Sequence, residues 1–152
     1  MGVIYAPMYD QLFWAIENQG AFKKQSKEEK QLINTRNIDT KRFTILVSQS
    51  ISEYHLDKLK QYLPTCEVIK MGSSLKLCTI AEGKADVYLR RAPTCEWDTA
   101  AGQVILEEAG GKLMDLEGQR LVYNKNEIEN VAFVAYGDPQ FNPNSMVDHS
   151  RR

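Results

Sequence analysis

The run Phe43-Thr44-Ile45-Leu46-Val47-Ser48 is apolar almost without a break and shows no alternation. A strand of this kind is buried on both faces, so other elements must cover the sheet from either side. The sequence that follows supplies them. Ser50-Ile51-Ser52-Glu53 has capping-box spacing and predicts a helix to about Leu63, with Ile51, His55, Leu59 and Tyr62 on one side. Pro64 ends it. Cys66 to Met71 reads as a strand, Gly72-Ser73-Ser74 as a turn, and Ser74 as the N-cap of a helix to about Gly83. Ala85 to Arg90 is another strand, and Asp98 to Ala109 a helix closed by Gly110-Gly111. Lys112 to Leu116, Leu121 to Tyr123 and Ala132 to Tyr136 complete the strands. The alternation predicts an α/β domain over 42–137, a layered sheet with flanking helices.

Ahead of that domain, Gly2 to Pro7, Leu12 to Ile16 and Ala21 to Lys24 are β-forming runs, joined by a hairpin loop at Met8 to Gln11 and a turn at Asn18-Gln19-Gly20. An antiparallel edge this apolar is normally covered by something. Residues 1–41 are therefore expected to be a β-hairpin remnant of a preceding domain, followed by a polar linker from Gln25 to Lys41. The exposed edge predicts aggregation, a homodimer, or association with a missing N-terminal half. Residues 138–152 are polar, hold two prolines and are expected to be a disordered tail.

Composition narrows the partners. Nineteen basic residues against twenty acidic ones leave a net charge of −1, which gives no electrostatic footprint for nucleic acid or an anionic membrane. Two or three local cations still suffice to hold a small anion. Cys66, Cys78 and Cys95 are odd in number and lack C-x-x-C spacing, which points to a reducing cytoplasm rather than a disulfide framework. His55 and His149 stand far apart with no zinc-ligand spacing, and no apolar run is long enough to span a membrane.

Three segments carry candidate chemistry. In Trp97-Asp98-Thr99-Ala100-Ala101-Gly102 an acid sits in the first turn of a helix, where the dipole favours it. As local physics this is a helix cap. Trp97 is costly at such a junction unless it packs there, the small residues admit a close approach, and free N–H groups at the helix start suit a phosphate. Gly72-Ser73-Ser74-Leu75-Lys76 offers hydroxyl and N–H donors plus a cation, although an ordinary capped helix explains it as well. Arg90, at a strand end, is either a solvated charge or a bidentate phosphate ligand.

The segment WDTAAGQVILEEAGG resembles the C-terminal signature of the inositol monophosphatase-like superfamily of lithium-sensitive, magnesium-dependent phosphatases. GVIYAPMYDQLFWA, GSSLKLCTIAEGKADVYLR and LVYNKNEIENVAF resemble its 3'(2'),5'-bisphosphate nucleotidase branch, the CysQ-type proteins. The resemblance implies that Asp98 ligates Mg2+ and also faces the substrate. It further implies that Ser73, Ser74 and Lys76 contact a nucleotide bisphosphate, and that Arg90 lies near its phosphate. Leu89 stands where the family often has proline, Arg91 replaces a usually apolar residue, and Ile51 replaces a histidine of an S-x-S-H run, leaving Ser48 or Ser50 to substitute. The family's earlier glutamate pair and its D-P-[LI]-D-G-T motif have no counterpart here, since Asp138-Pro139 continues as Gln-Phe.

The chain is thus expected to correspond to the C-terminal portion of a phosphatase that converts 3'-phosphoadenosine 5'-phosphate to AMP. A sugar phosphatase acting on inositol monophosphate ranks second, because no E-R-x-x-D-like segment follows Gly83. A non-catalytic nucleotide-binding fragment is the reading from a different functional class, because one carboxylate cannot hold the metal ions of this chemistry.

Overall fold

The computed structural model describes residues 1–39, 41–62 and 65–143, and of Tyr62 the backbone only. Four strands open the chain: β1 (Gly2–Ala6), β2 (Gln11–Ile16), β3 (Gly20–Gln25) and β4 (Gln31–Ile33) form an antiparallel sheet in that order. There follow β5 (Thr44–Val47), α1 (Glu53–Tyr62), β6 (Glu67–Lys70), α2 (Leu75–Ala81), β7 (Val87–Arg90), β8 (Thr94–Cys95), α3 (Glu96–Glu108), β9 (Lys112–Asp115), β10 (Glu129–Asn130) and β11 (Phe133–Tyr136).

The second sheet has the order β6-β5-β7-β11-β9. Its first three strands are parallel, while β11 runs antiparallel to β7 and β9. All four residues of β5 are buried, as its unbroken apolar run requires. One side of this sheet packs Leu46, Leu113 and Phe133 against Leu77 and Ile80 of α2 and Ile105 and Leu106 of α3. The other side packs Ile45, Val47, Val87 and Val134 against Ile51 and Leu59, at and within α1. The first sheet lays Phe13, Ala15, Ala21 and Ile33 into the same core as α2 and α3, so α3 is held between two sheets.

The connection leaving β5 runs through α1 to β6 at one edge of the sheet, and the connection leaving β7 runs toward β9 at the other. Two neighbouring parallel strands whose exits diverge leave a crevice beyond their carboxyl ends. Ser48 follows β5 and Arg90 closes β7, so both stand at its rim. Among the described residues no helix is long and apolar enough to cross a membrane.

The mixed α/β architecture is the one the sequence predicts, but several local expectations change. Gln25 to Lys41 is not a plain linker: Ile33 anchors β4 in the core, and Leu32 pairs with Phe22 of β3. Three residues are too few to display a strand period, which is why the sequence hides it. Beyond β4, Arg36 grips the fully buried Asp86 carboxylate at 2.7 and 2.8 Å, and Thr44 N–H donates to the same group at 2.7 Å.

Leu121 to Tyr123 forms no strand, since Arg120 makes only a single bridge to Met114, while Glu129–Asn130 and Thr94–Cys95 pair in its place. Helix α1 starts late, with the Ser52 hydroxyl rather than a Ser50 box receiving the His55 N–H. This puts His55 on the exposed side and buries Leu56. The expected loss of structure after Gly137 does not begin there, because Phe141 packs on Phe43 and Tyr136. Residues 144–152, and with them the rest of the predicted tail, lie outside the described residues, as do Leu63 and Pro64 at the predicted helix end.

Helices α2 and α3 cross where Gly102 faces Leu77. A Cβ at Gly102 would lie 2.5 Å from Leu77 Cδ1 and 3.1 Å from Leu77 Cβ, and Leu77 is only 1% exposed. Overpacking of this kind costs about 1–3 kcal/mol, against about 1 kcal/mol gained by alanine over glycine within a helix. The clash wins because Leu77 has nowhere to move. Gly102→Ala should lower the urea midpoint at unchanged slope, with a loss of about 1 kcal/mol; a raised midpoint contradicts this packing.

Candidate functional site

The crevice beyond β5 and β7 is an open cleft of about 190 Å³, lined by Ser48, Ser73, Ser74, Lys76, Arg90 and Asp98 together with Tyr88, Pro93, Thr94 and Thr99. All five residues singled out from the sequence, Ser73, Ser74, Lys76, Arg90 and Asp98, therefore meet in one place. They come from three separate elements: the turn before α2, the end of β7 and the first turn of α3.

Lys76 is the best-fixed cation of the site. It is 4% exposed, and its Nζ donates to the carbonyls of Met71 and Ser73, each at 3.0 Å. The same Nζ lies 4.7 Å from the centre of the Tyr88 ring, a distance at which the ring face attracts a cation. These bonds span Ser73, which takes a left-handed φ of 60°. For a residue with a side chain that conformation carries strain, so Lys76 acts as a clamp on a strained turn. Burial, and secondarily the Arg90 charge, lower its pKa from the ordinary 10.5 to about 8, with Asp98 acting the other way.

The seryl hydroxyls behave differently from a helix cap. Ser74 precedes α2 in the right-handed region and makes no side-chain cap bond. Its Oγ lies 3.4 Å from Ser73 Oγ, and both residues line the cleft. Arg90 donates from Nε to Ala92 O at 3.0 Å and from Nη2 to Pro93 O at 3.3 Å. This bridges the β7–β8 loop and aligns the guanidinium at the rim. Tyr88 beneath it is 5% exposed, and its phenol pKa is raised, chiefly by burial.

Asp98 is the third residue of α3, because the helix begins two residues earlier than its sequence pattern suggests. Its Oδ2 accepts the Cys95 N–H at 2.8 Å, closing a capping box with the Cys95 thiol in the usual place of a hydroxyl. The Glu96 N–H is taken by Ile128 O at 2.9 Å. The N–H groups of Cys95, Glu96 and Asp98 at this helix start are therefore spent inside the protein, and the expected open phosphate cradle is correspondingly narrower. Trp97 does not pack at the junction; it is 68% exposed, because Glu96 takes the inward position and meets Lys125 at 2.7 Å.

The donor set does not by itself make a magnesium site. Among the described residues no group of three or more His, Cys, Asp or Glu is placed to hold a metal ion. Among the described residues Asp98 is the one carboxylate in the cleft lining, and one of its oxygens already accepts a backbone N–H. Mg2+ demands six oxygen ligands in near-octahedral array.

Sequence reasoning passed over Tyr88, Pro93, Thr94 and Thr99. Tyr88 offered a usable signal, since Tyr88 and Arg90 are two apart on one strand. Thr94 offered none, because β8 is only two residues long.

A profile of the inositol monophosphatase family matches residues 1–140. The chain is 38% identical to the 3'(2'),5'-bisphosphate nucleotidase CysQ of Haemophilus influenzae over 96% of its own length and 55% of that protein's. It is 36% identical to the Escherichia coli protein of the same name over 84% of its own length and 50% of the relative's. Among solved structures, CysQ from Bacteroides thetaiotaomicron superimposes with a TM-score of 0.78 at 33% identity, covering 91% of this chain and 58% of that one. An inositol monophosphatase from Zymomonas mobilis, at 19% identity and a TM-score of 0.74, shares the fold. The chain thus spans about half the length of the curated relatives it matches.

The buried ammonium gives the first measurable consequence of this site. Lys76 should titrate near pH 8 in the folded chain when its Nζ is followed by NMR; a midpoint above 10 contradicts its burial. Because the unfolded group titrates near 10.5, the unfolded state holds one proton more between about pH 8 and 10.5. This group therefore makes stability rise with pH across that window.

Proposed function

The chain belongs to the inositol monophosphatase family, and on that premise we propose that its cleft is the nucleotide-binding wall of a phosphomonoesterase that converts 3'-phosphoadenosine 5'-phosphate to AMP. The observation that carries this reading is the convergence of Ser73, Ser74, Lys76, Arg90 and Asp98 on one cleft at the carboxyl ends of β5 and β7. The names of the two bacterial relatives, both 3'(2'),5'-bisphosphate nucleotidases, support it.

The roles follow from the groups. Arg90 keeps N–H donors beyond those spent on Ala92 and Pro93, and its planar fork suits a phosphate. Ser73 and Ser74 present hydroxyls from the turn that Lys76 clamps, so the lysine fixes donors as well as adding charge. Asp98, from the first turn of α3, is the residue that would bear a metal ion. Magnesium, which the family resemblance implies, needs further oxygen ligands beyond this carboxylate. The chain's own contribution is to bind and orient the bisphosphate.

The donor set also favours a second reading, in which these 152 residues bind the nucleotide but release no phosphate unless further carboxylates are supplied. A sugar phosphatase remains the alternative within the family.

Titration calorimetry with 3'-phosphoadenosine 5'-phosphate and with inositol 1-phosphate separates these readings. The nucleotide should bind at least tenfold more tightly, and Arg90→Ala should weaken it about tenfold, or about 1.4 kcal/mol. Equal affinities would favour the sugar phosphatase, and no nucleotide binding by the unaltered chain would sink the proposal. Magnesium-dependent phosphate release that Asp98→Asn abolishes would show the chain to be active alone; its absence beside intact binding supports the binding-only reading.

A further inference from the structure

Between α3 and the segment leading to β10 runs a line of buried polar side chains that no part of the cleft's binding role uses. Gln103 is fully buried, Thr99 is 1% exposed and Asn130 8%. Tyr123 donates its hydroxyl to Gln103 Oε1, and its oxygen lies 3.3 Å from Thr99 Oγ1. At the cleft end of the line, Asn130 Nδ2 donates to Cys95 O at 2.8 Å, Thr99 Oγ1 at 3.0 Å and Thr94 Oγ1 at 3.2 Å.

All three of those acceptors belong to the β8–α3 junction. Cys95 is the N-cap whose N–H the Asp98 carboxylate accepts, while Thr94 and Thr99 line the cleft on either side of Asp98. Asn130 thus holds the carbonyl of the residue whose amide orients Asp98. Its own Oδ1, by contrast, is buried without a partner among the described residues. An orphaned buried acceptor costs stability that a well-packed apolar side chain would not. Asparagine at this position is therefore poorly explained as a stabilising core residue and well explained by what its Nδ2 fixes.

We propose that Asn130 is a positioning residue for Asp98: through Cys95 O and the hydroxyls of Thr94 and Thr99 it locks the first turn of α3, so that the carboxylate faces the cleft at a fixed place. This rests on Asp98 acting in the cleft as proposed above, and it adds a determinant from a two-residue strand 32 positions downstream in the sequence. Rigidity of this kind is how a supporting shell holds a functional group in place.

The test uses the full chain with Asn130→Ala, and with Thr99→Val as a milder second variant. Amide exchange at Cys95 and Asp98 should quicken at least tenfold in both, with Leu113 of β9 unchanged. Unaltered exchange at Cys95, or an equal loss of protection at Leu113, overturns the proposal, the latter because it reveals a merely structural role. The functional reading of Asp98 is tested separately: if Asp98→Asn leaves the affinity for 3'-phosphoadenosine 5'-phosphate unchanged, that reading fails on its own, and the exchange measurement still decides whether Asn130 sets the junction.

Discussion

The parallel pairing of β5 with β7, Ile45 against Val87 and Leu46 against Tyr88, decides where the rest of the chemistry can stand. Because β5 is buried on both faces and the exits from the two strands diverge, the backbone must part just beyond Val47 and Arg90. The turn before α2 and the start of α3 close over that gap from the side of the shared core. At the opposite, amino ends of the same strands, Arg36 and the Thr44 N–H satisfy the buried Asp86 carboxylate, beside a second open cleft of about 380 Å³ lined by Arg36, Arg42, Thr44 and Lys84 but by none of the five residues above. The cleft is a consequence of topology before it is a consequence of any one side chain.

Lys76 shows how the fold turns this opening into an electrostatic site. Burying an ammonium costs several kcal/mol. Two hydrogen bonds to carbonyls contribute about 1.5–3 kcal/mol each, and a desolvated cation over a ring adds about 2 kcal/mol. The terms nearly balance, so the group stays charged at neutral pH, but with its pKa lowered to about 8. What the molecule gains is a strained turn at Ser73 held firmly and two hydroxyls placed beside Arg90. Asp98, in the same cleft lining, is held by a different device, the Cys95 capping box supported by Asn130.

Much of this was legible in the sequence because the informative features are long or chemically unambiguous. The unbroken run at Phe43 to Ser48 announced a doubly covered strand, and the glycine pair after Ala109 announced the end of α3. The five cleft residues were found because two of their segments carry a family signature and Arg90 sits at a strand end. What stayed hidden is short or depends on tertiary contact. β4, β8 and β10 have two or three residues each and hence no period to read. The inward turn of Glu96 and outward turn of Trp97 depend on Lys125, nearly thirty positions away. Ser74 looked like a cap because sequence registers its position but not its backbone angles.

The central claim is that one cleft, at the carboxyl ends of β5 and β7, receives the phosphates of a nucleotide. Mapping amide shifts on isotope-labelled chain during titration with 3'-phosphoadenosine 5'-phosphate tests this most directly. The account predicts that the largest changes fall on Gly72 to Lys76, Arg90 and Cys95 to Thr99, and leave Arg36 to Asp39 and Asp86 at the far end of the strands unmoved. Saturable changes centred on the Arg36 end, with the cleft amides still, would contradict it.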